Sequence, residues 1–229
     1  MSEKNSKFLN IPVQMLKELH TNPKVFLNNV FDVGVYSYSK TLSGSEEKCY
    51  KDSLKFLGIT QGNIKDRIAN AKNILYKIPA KYPTTGIEKD MLFDFYKNEK
   101  SDFDIICLGA FLGIKSILGT KQYCKTNKAF IHARLFGYVS TKELTAKLTP
   151  IEKKYQIRWH MDKILLELQT NWFLKLISNH QRGMYISFDF TLNELAVKSE
   201  GSKQVTKLQQ LKELKAKAIE GAKAQLTTY

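Results

Sequence analysis

The sequence predicts a mainly α-helical protein with one small β-hairpin. It reads as an N-terminal helical domain, a C-terminal domain ending in the hairpin, and a terminal helix. Three observations predict this. Apolar residues recur at helical spacing over most of the chain, punctuated by caps and breakers. The period switches to two after Trp172, on both sides of the loop Asn179-His180-Gln181-Arg182-Gly183. Cations concentrate in the same part of the chain. The expected domains are residues 1–80, 85–190 and 191–229.

The elements follow in order. An apolar run over 11–19 contains Pro12, and the first 78 residues read as helices. Asn22-Pro23 is a cap followed by proline at the first helical position, opening a helix towards Leu42. Ser43-Gly44-Ser45 breaks it. Helices over 46–57 and 63–78 come next, and 79–86, with two prolines, reads as a linker. Helices over 87–97 and 102–118 follow, the second capped by Ser101 and stopped by Gly119. Phe103, Ile106, Ala110, Phe111, Ile114, Ile117 and Leu118 form its expected core face. On the helix before it, Met91, Phe93, Phe95 and Tyr96 read as core.

A helix over 128–136 ends at the turn Gly137-Tyr138-Val139-Ser140. Ser140 and Glu143 have capping-box spacing for a helix over 141–148. Thr149-Pro150 starts a long helix whose stripe Ile157, Met161, Ile164, Leu165, Leu168 and Trp172 faces inward. Two strand patterns, 173–178 and 184–188, complete the hairpin. Val205, Leu208, Leu211, Leu214, Ala218 and Ala222 make a thin stripe on a helix over 202–226, a possible homodimer contact.

Composition excludes several function classes. An apolar share of 43% supports a packed core. The longest apolar or glycine run, 105–114, falls far short of the roughly 18 residues that span a bilayer, so no membrane association is expected. Residues 1–7 are polar and lack the apolar stretch of a secretory signal. The cysteines Cys49, Cys107 and Cys124 form no CxxC pair, so neither a disulfide framework nor a zinc site is expected. A reduced, cytoplasmic setting follows.

No phosphate-binding loop, dinucleotide fingerprint, HExxH or GxSxG motif occurs, and the four histidines are scattered. Arg134, residues 160–163 and Tyr185 are too few for a tyrosine recombinase, and Tyr185 lies in a strand pattern. The chain is therefore expected to have no enzymatic activity, cofactor or metal.

Charge points elsewhere. The net charge is +14, and residues 121–188 carry 12 basic against four acidic side chains. That concentration suits an anionic polymer.

Helix, glycine turn, helix, long basic helix and hairpin succeed one another. The residues Ala133-Arg134-Leu135-Phe136-Gly137-Tyr138-Val139-Ser140-Thr141-Lys142-Glu143-Leu144, the helix over 155–172 and the hairpin resemble the winged helix-turn-helix DNA-binding proteins across residues 125–188. On the residues themselves, Lys153, Lys154, Gln156, Arg158 and His160 occupy the exposed leading half of a groove-sized helix, with Lys163 beyond. Arg158 suits guanine and Gln156 suits adenine. Lys142 and Lys147 suit phosphates. The resemblance implies that the hairpin tip, Asn179, His180, Gln181 and Arg182, lies against the backbone or minor groove.

The expected function is sequence-specific binding of double-stranded DNA, as a transcriptional regulator or as a replication or maintenance factor of a plasmid, phage or mobile element. A protein-interaction adaptor is the alternative, and an RNA binder is less favoured because no strand carries aromatics at stacking spacing. Residues 46–76 also have the outline of a second helix-turn-helix, which would make the arrangement similar to tandem winged-helix plasmid replication initiators.

Overall fold

The computed structural model describes residues 8–59, 62–79, 81–145, 148–179, 183–200 and 215. The chain divides into two compact units. One comprises the chain up to Lys121 together with Thr126–Phe173; the other comprises Gln122–Lys125 and the chain from Leu174 onward.

The first unit is mainly helical. It contains α1 (Pro23–Ser39), α2 (Glu46–Phe56), α3 (Ile64–Tyr76), α4 (Lys89–Lys97), α5 (Asp102–Leu118), α6 (Lys128–Leu135), α7 (Pro150–Gln156) and α8 (Arg158–Asn171). Local chemistry sets most of these starts. The Asn22 side chain accepts from the amides of Lys24 and Val25 at 3.0 and 3.2 Å, and Pro23 follows it. Asn63 caps α3, Asn127 caps α6, and Ser101 forms a reciprocal capping box with Asp104. Helix α1 stops at Ser39 rather than Leu42. There the Ser39 and Thr41 hydroxyls donate to the carbonyls of Tyr36 and Tyr38, a local alternative to continuing the helix.

Two expectations for this region are corrected. The run around Pro12 is not helical from the start: β1 (Phe8–Pro12) is a strand, followed by a 3-10 helix, Val13–His20. The segment read as a linker supplies its partner. Strand β2 (Thr84–Glu88) pairs antiparallel with β1 in the register Leu9↔Ile87 and Ile11↔Thr85. Leu9, Ile11 and Ile87 are buried. The pairing joins segments more than 70 residues apart, so no local pattern announces it.

Helix α5 is the centre of this unit. It was expected to bury one face, yet Ile105 through Ile114 is buried without interruption. Helix α6 crosses it closely at two glycines. A Cβ on Gly113 would stand 3.0–3.1 Å from the Arg134 carbonyl group and the Leu135 nitrogen, and one on Gly109 would meet Leu19 and Leu135.

The second unit holds a three-stranded antiparallel sheet in the order β3-β5-β4, made of β3 (Tyr123–Thr126), β4 (Lys175–Asn179) and β5 (Gly183–Ser187). The expected hairpin is present as β4–β5, with Leu176 opposite Ile186 and Asn179 opposite Gly183. Strand β3 was not foreseen. The Ser187 hydroxyl donates to the Gln122 carbonyl at 2.6 Å, and Tyr123 stacks on Phe190. A further helix begins at residue 192, where Thr191 and Glu194 cap each other. The expected helix over 202–226, and the dimer contact placed on it, lie outside the described residues apart from Lys215. Among the described residues no helix is long and apolar enough to cross a membrane.

Candidate nucleic-acid interface

The continuous helix expected from Pro150 to Trp172 is two helices. Ile157 ends α7 and precedes α8 with an extended backbone, φ −63° and ψ 130°. The cause lies in what each half buries. Glu152 and Tyr155 point inward from α7, whereas Met161, Ile164, Leu165 and Leu168 point inward from α8. At roughly 100° per residue, one straight helix would put these two sets on nearly opposite sides. Breaking the rod lets both reach the core. Ile157, expected at the head of the buried stripe, is 57% exposed instead.

The break makes a corner. Lys153, Lys154 and Gln156 are exposed on the last turn of α7, and Arg158 and Trp159 are exposed on the first turn of α8. Lys163 is exposed one turn further on, and His160 is half-buried. Five of the expected DNA-contacting residues therefore share one solvent-facing corner, although they belong to two helices. Lys142 is exposed on a short 3-10 helix, Thr141–Thr145, which replaces the helix expected over 141–148. There the Ser140 hydroxyl donates to the Glu143 carboxylate at 3.5 Å, and the Glu143 amide donates to the Ser140 carbonyl at 3.3 Å. Lys147, His180, Gln181 and Arg182 lie outside the described residues, and of Asn179 only its backbone place at the end of β4 is described.

The corner's net charge follows from its few acids. Asp162 is shared by Lys128 and by Arg158, whose Nε stands 3.6 Å away across one helical turn. The Arg158 side chain is 87% exposed, and such a pair is worth at most about 1 kcal/mol. A phosphate or a guanine edge can displace it.

Glu152, the other acid, is buried and serves as the node that holds the corner in place. Its Oε2 accepts from the Thr149 amide at 2.7 Å and the Thr149 hydroxyl at 2.8 Å, while Thr149 Oγ1 accepts from the Glu152 amide. Its Oε1 accepts from the Tyr138 hydroxyl at 2.8 Å. Its backbone carbonyl lies 2.9 Å from His132 Nε2. One residue thus ties the start of α7 to α6 and to the turn at Gly137. Burial pushes the Glu152 carboxyl up, but the Thr149 and Tyr138 donors outweigh it and hold it below the ordinary carboxylate range. The signal that would have found it is the spacing Thr149-Pro150-Ile151-Glu152, a capping box with proline at the first helical position.

Burial lowers the pKa of His132, against the raising effects of the Glu152 carbonyl and charge. Since a carbonyl only accepts, the neutral imidazole carries its proton on Nε2. A depressed pKa means that this histidine's contribution to stability is present above its unfolded value of about 6.5 and is lost as pH falls. Urea unfolding midpoints at pH 7.5 and pH 5 are expected to differ less in His132→Gln than in the parent chain. An equal difference in both would remove His132 as the source.

The rival reading head at 46–76 does not expose its guanidinium for base contact. Helices α2 and α3 exist, but residues 57–63 between them outrun the turn of about three or four residues in a helix-turn-helix. Arg67 turns inward. It pairs with Asp32 at 3.5 Å, bonds to the Tyr96 hydroxyl, and lies over the rings of Phe31 and Tyr96. Arg134 is likewise buried, with Nε and Nη1 lacking hydrogen-bond partners and the guanidinium over Phe130.

Among the described residues no three His, Cys, Asp or Glu side chains stand together as metal ligands. No protein-family model, curated protein or solved structure matches this chain.

Proposed function

We propose that the chain binds double-stranded DNA through the α7–α8 corner, as a non-catalytic, sequence-specific regulator or as a replication or maintenance factor of a plasmid, phage or mobile element. One observation carries this reading. The leading end of α8 opens to solvent beside Lys153, Lys154, Arg158 and Lys163, while Met161, Ile164, Leu165 and Leu168 anchor the same helix in the core. A groove-reading helix needs that division between a free leading end and a fixed trailing one.

Element order adds support. The succession α5, β3, α6, α7, α8, β4, β5 with sheet order β3-β5-β4 is consistent with a winged helix, in which a strand before the helix pair joins the edge of the later hairpin. Roles divide by chemistry. Arg158 offers a bidentate fork for guanine and Gln156 an amide for adenine. Lys142, Lys153, Lys154 and Lys163 supply charge to phosphates.

The test is anisotropy of fluorescein-labelled duplexes, first selected from random sequence, titrated across salt concentrations. Affinity is expected to fall linearly with log salt, with a slope near −0.9 per phosphate contacted. Arg158→Ala is expected to remove about 1–3 kcal/mol of discrimination between the selected site and unrelated DNA. Lys142→Ala is expected to weaken all sequences alike and to flatten the slope by about one. Salt-independent binding, or two silent substitutions, would overturn the assignment.

A further inference from the structure

The geometry points to Trp159 as a stacking platform for an unpaired nucleobase, so that the nucleic acid taken by this corner includes a strand opened or unpaired at one position. This rests on the DNA-binding reading above and extends it from groove contact to strand distortion.

Trp159 projects from the first turn of α8 and is 64% exposed, and Ile157 is exposed too. A large indole left in water, with an exposed aliphatic side chain two residues before it, puts apolar surface on a cationic corner. The ring is also braced. His160 meets it edge-on, with centroids 4.6 Å apart and planes at 74°. Tyr155 meets His160 at 5.9 Å and 70°, and Phe136 lies 6.4 Å from Tyr155. Phe136 and Tyr155 are buried. A line of four rings thus runs from the core to the exposed indole, and it limits the freedom the indole would otherwise lose on binding.

Charge selects the occupant. Arg158 adjoins the ring in sequence, the Lys163 ammonium stands 5.9 Å from its centroid, and Lys153 and Lys154 are exposed on the preceding turn. Of the corner's acids, Glu152 is buried and Asp162 is engaged by Lys128 and Arg158. An exposed indole with one ammonium over its ring and further exposed cations on the same and the preceding turn matches a polymer that alternates flat bases with phosphates. In intact B-form DNA the base faces are covered by their neighbours. A stacking partner is therefore a base that has left the stack, or a step that the indole itself has wedged open.

The experiment uses the full chain and three fluorescein-labelled DNAs at low salt: a matched duplex, the same duplex with one central unpaired base, and a single strand. Wild-type protein is expected to bind the second and third at least as tightly as the first. Trp159→Ala is expected to weaken binding to those two by about 10- to 100-fold, with less than about a twofold change on the matched duplex. Trp159→Phe should recover most of the loss, because it keeps a ring. Trp159→Leu, apolar without one, should not. Indole fluorescence should be quenched by the unpaired-base DNA in the wild type and lose that quenching in Trp159→Phe, where Trp172 remains as the other indole. Unchanged thermal midpoints will show that the variants fold.

Equal losses on all three DNAs, or recovery by leucine as full as by phenylalanine, would overturn stacking and mark Trp159 as a general apolar contact. A silent Trp159→Ala with binding still sensitive to Arg158→Ala would remove stacking and leave the DNA-binding function standing. Failure of the wild type to bind any of the three would remove both, and would turn the exposed indole into a docking point for another protein.

Discussion

Replacing Gly137 by alanine is expected to destabilise the protein by about 3 kcal/mol and to shift the urea midpoint accordingly. Two costs combine. Gly137 has φ +73°, in the left-handed region that costs a residue bearing a Cβ roughly 1–2 kcal/mol. An added Cβ would also stand 2.8 Å from the Lys17 nitrogen and 2.9 Å from the Val13 carbonyl oxygen. Both are backbone atoms of the 3-10 helix, so relief requires moving chain rather than turning a side chain. Such overpacking costs about 1–3 kcal/mol. Gly58 is the internal control. Its φ is +70°, but its added Cβ would meet only the Phe93 ring, at 3.8 Å. Gly58→Ala should therefore show the backbone cost alone. Equal losses from the two variants would mean that the turn at Gly137 does not pack as described.

The second large effect is expected at Glu152. Glu152→Ala should cost about 3 kcal/mol, because it strands several hydrogen-bond donors in a buried place, each worth roughly 1–3 kcal/mol when left unpaired. The Tyr138 hydroxyl and the Thr149 amide and hydroxyl all lose their acceptor. Glu152→Gln keeps one oxygen for Thr149 and places an amide where the Tyr138 oxygen can accept from it, so its loss should be about 1 kcal/mol. The pH dependence has a definite sign. The Glu152 carboxyl sits below its ordinary range, so its stabilising contribution is present above the unfolded value of about 4.3 and fades as pH falls through the folded one. The gap between parent and Glu152→Gln should therefore narrow in acid. A gap that widens there would contradict this placement. If the corner reads DNA, Glu152→Ala should also weaken site-specific binding at temperatures where the variant is still folded, since α7 loses its N-terminal tie.

Legibility in the sequence followed the range of the forces involved. Asn22, Ser101 and the pair Thr149-Pro150 mark helix starts within a few residues of themselves and were visible in the sequence, whereas the caps at Ser45 and Asn63 are seen only in the structure. The β4–β5 hairpin was equally local, because a period of two and a glycine-containing loop fall within one short stretch. The cationic segment needed only counting. The strands β1, β2 and β3 were not visible, since each finds its partner far along the chain and none carries a long alternating pattern of its own. Helix α5 showed an inward face, but a helix apolar on every side reveals its full burial only once neighbours cover it.

The site divides in the same way. Lys153, Lys154, Gln156, Arg158 and Lys163 could be named from residue type and order. Trp159 is not among them, although an unbroken helix with the expected inward stripe already sets it nearly opposite Ile157, Met161 and Leu168, on the solvent side; only the tertiary structure shows its bracing by His160, Tyr155 and Phe136. Glu152 is one of four acids in the basic stretch, and by count it is a charge to be subtracted rather than a buried acceptor.

Residue chemistry acting over three or four positions was enough to specify where helices begin, that a hairpin closes the basic region, and where positive charge accumulates. Packing between distant segments decided the strand partners, the full burial of α5 and the bend at Ile157. Those choices depend on which apolar faces must share one core, and a face has no inside until another element arrives to cover it.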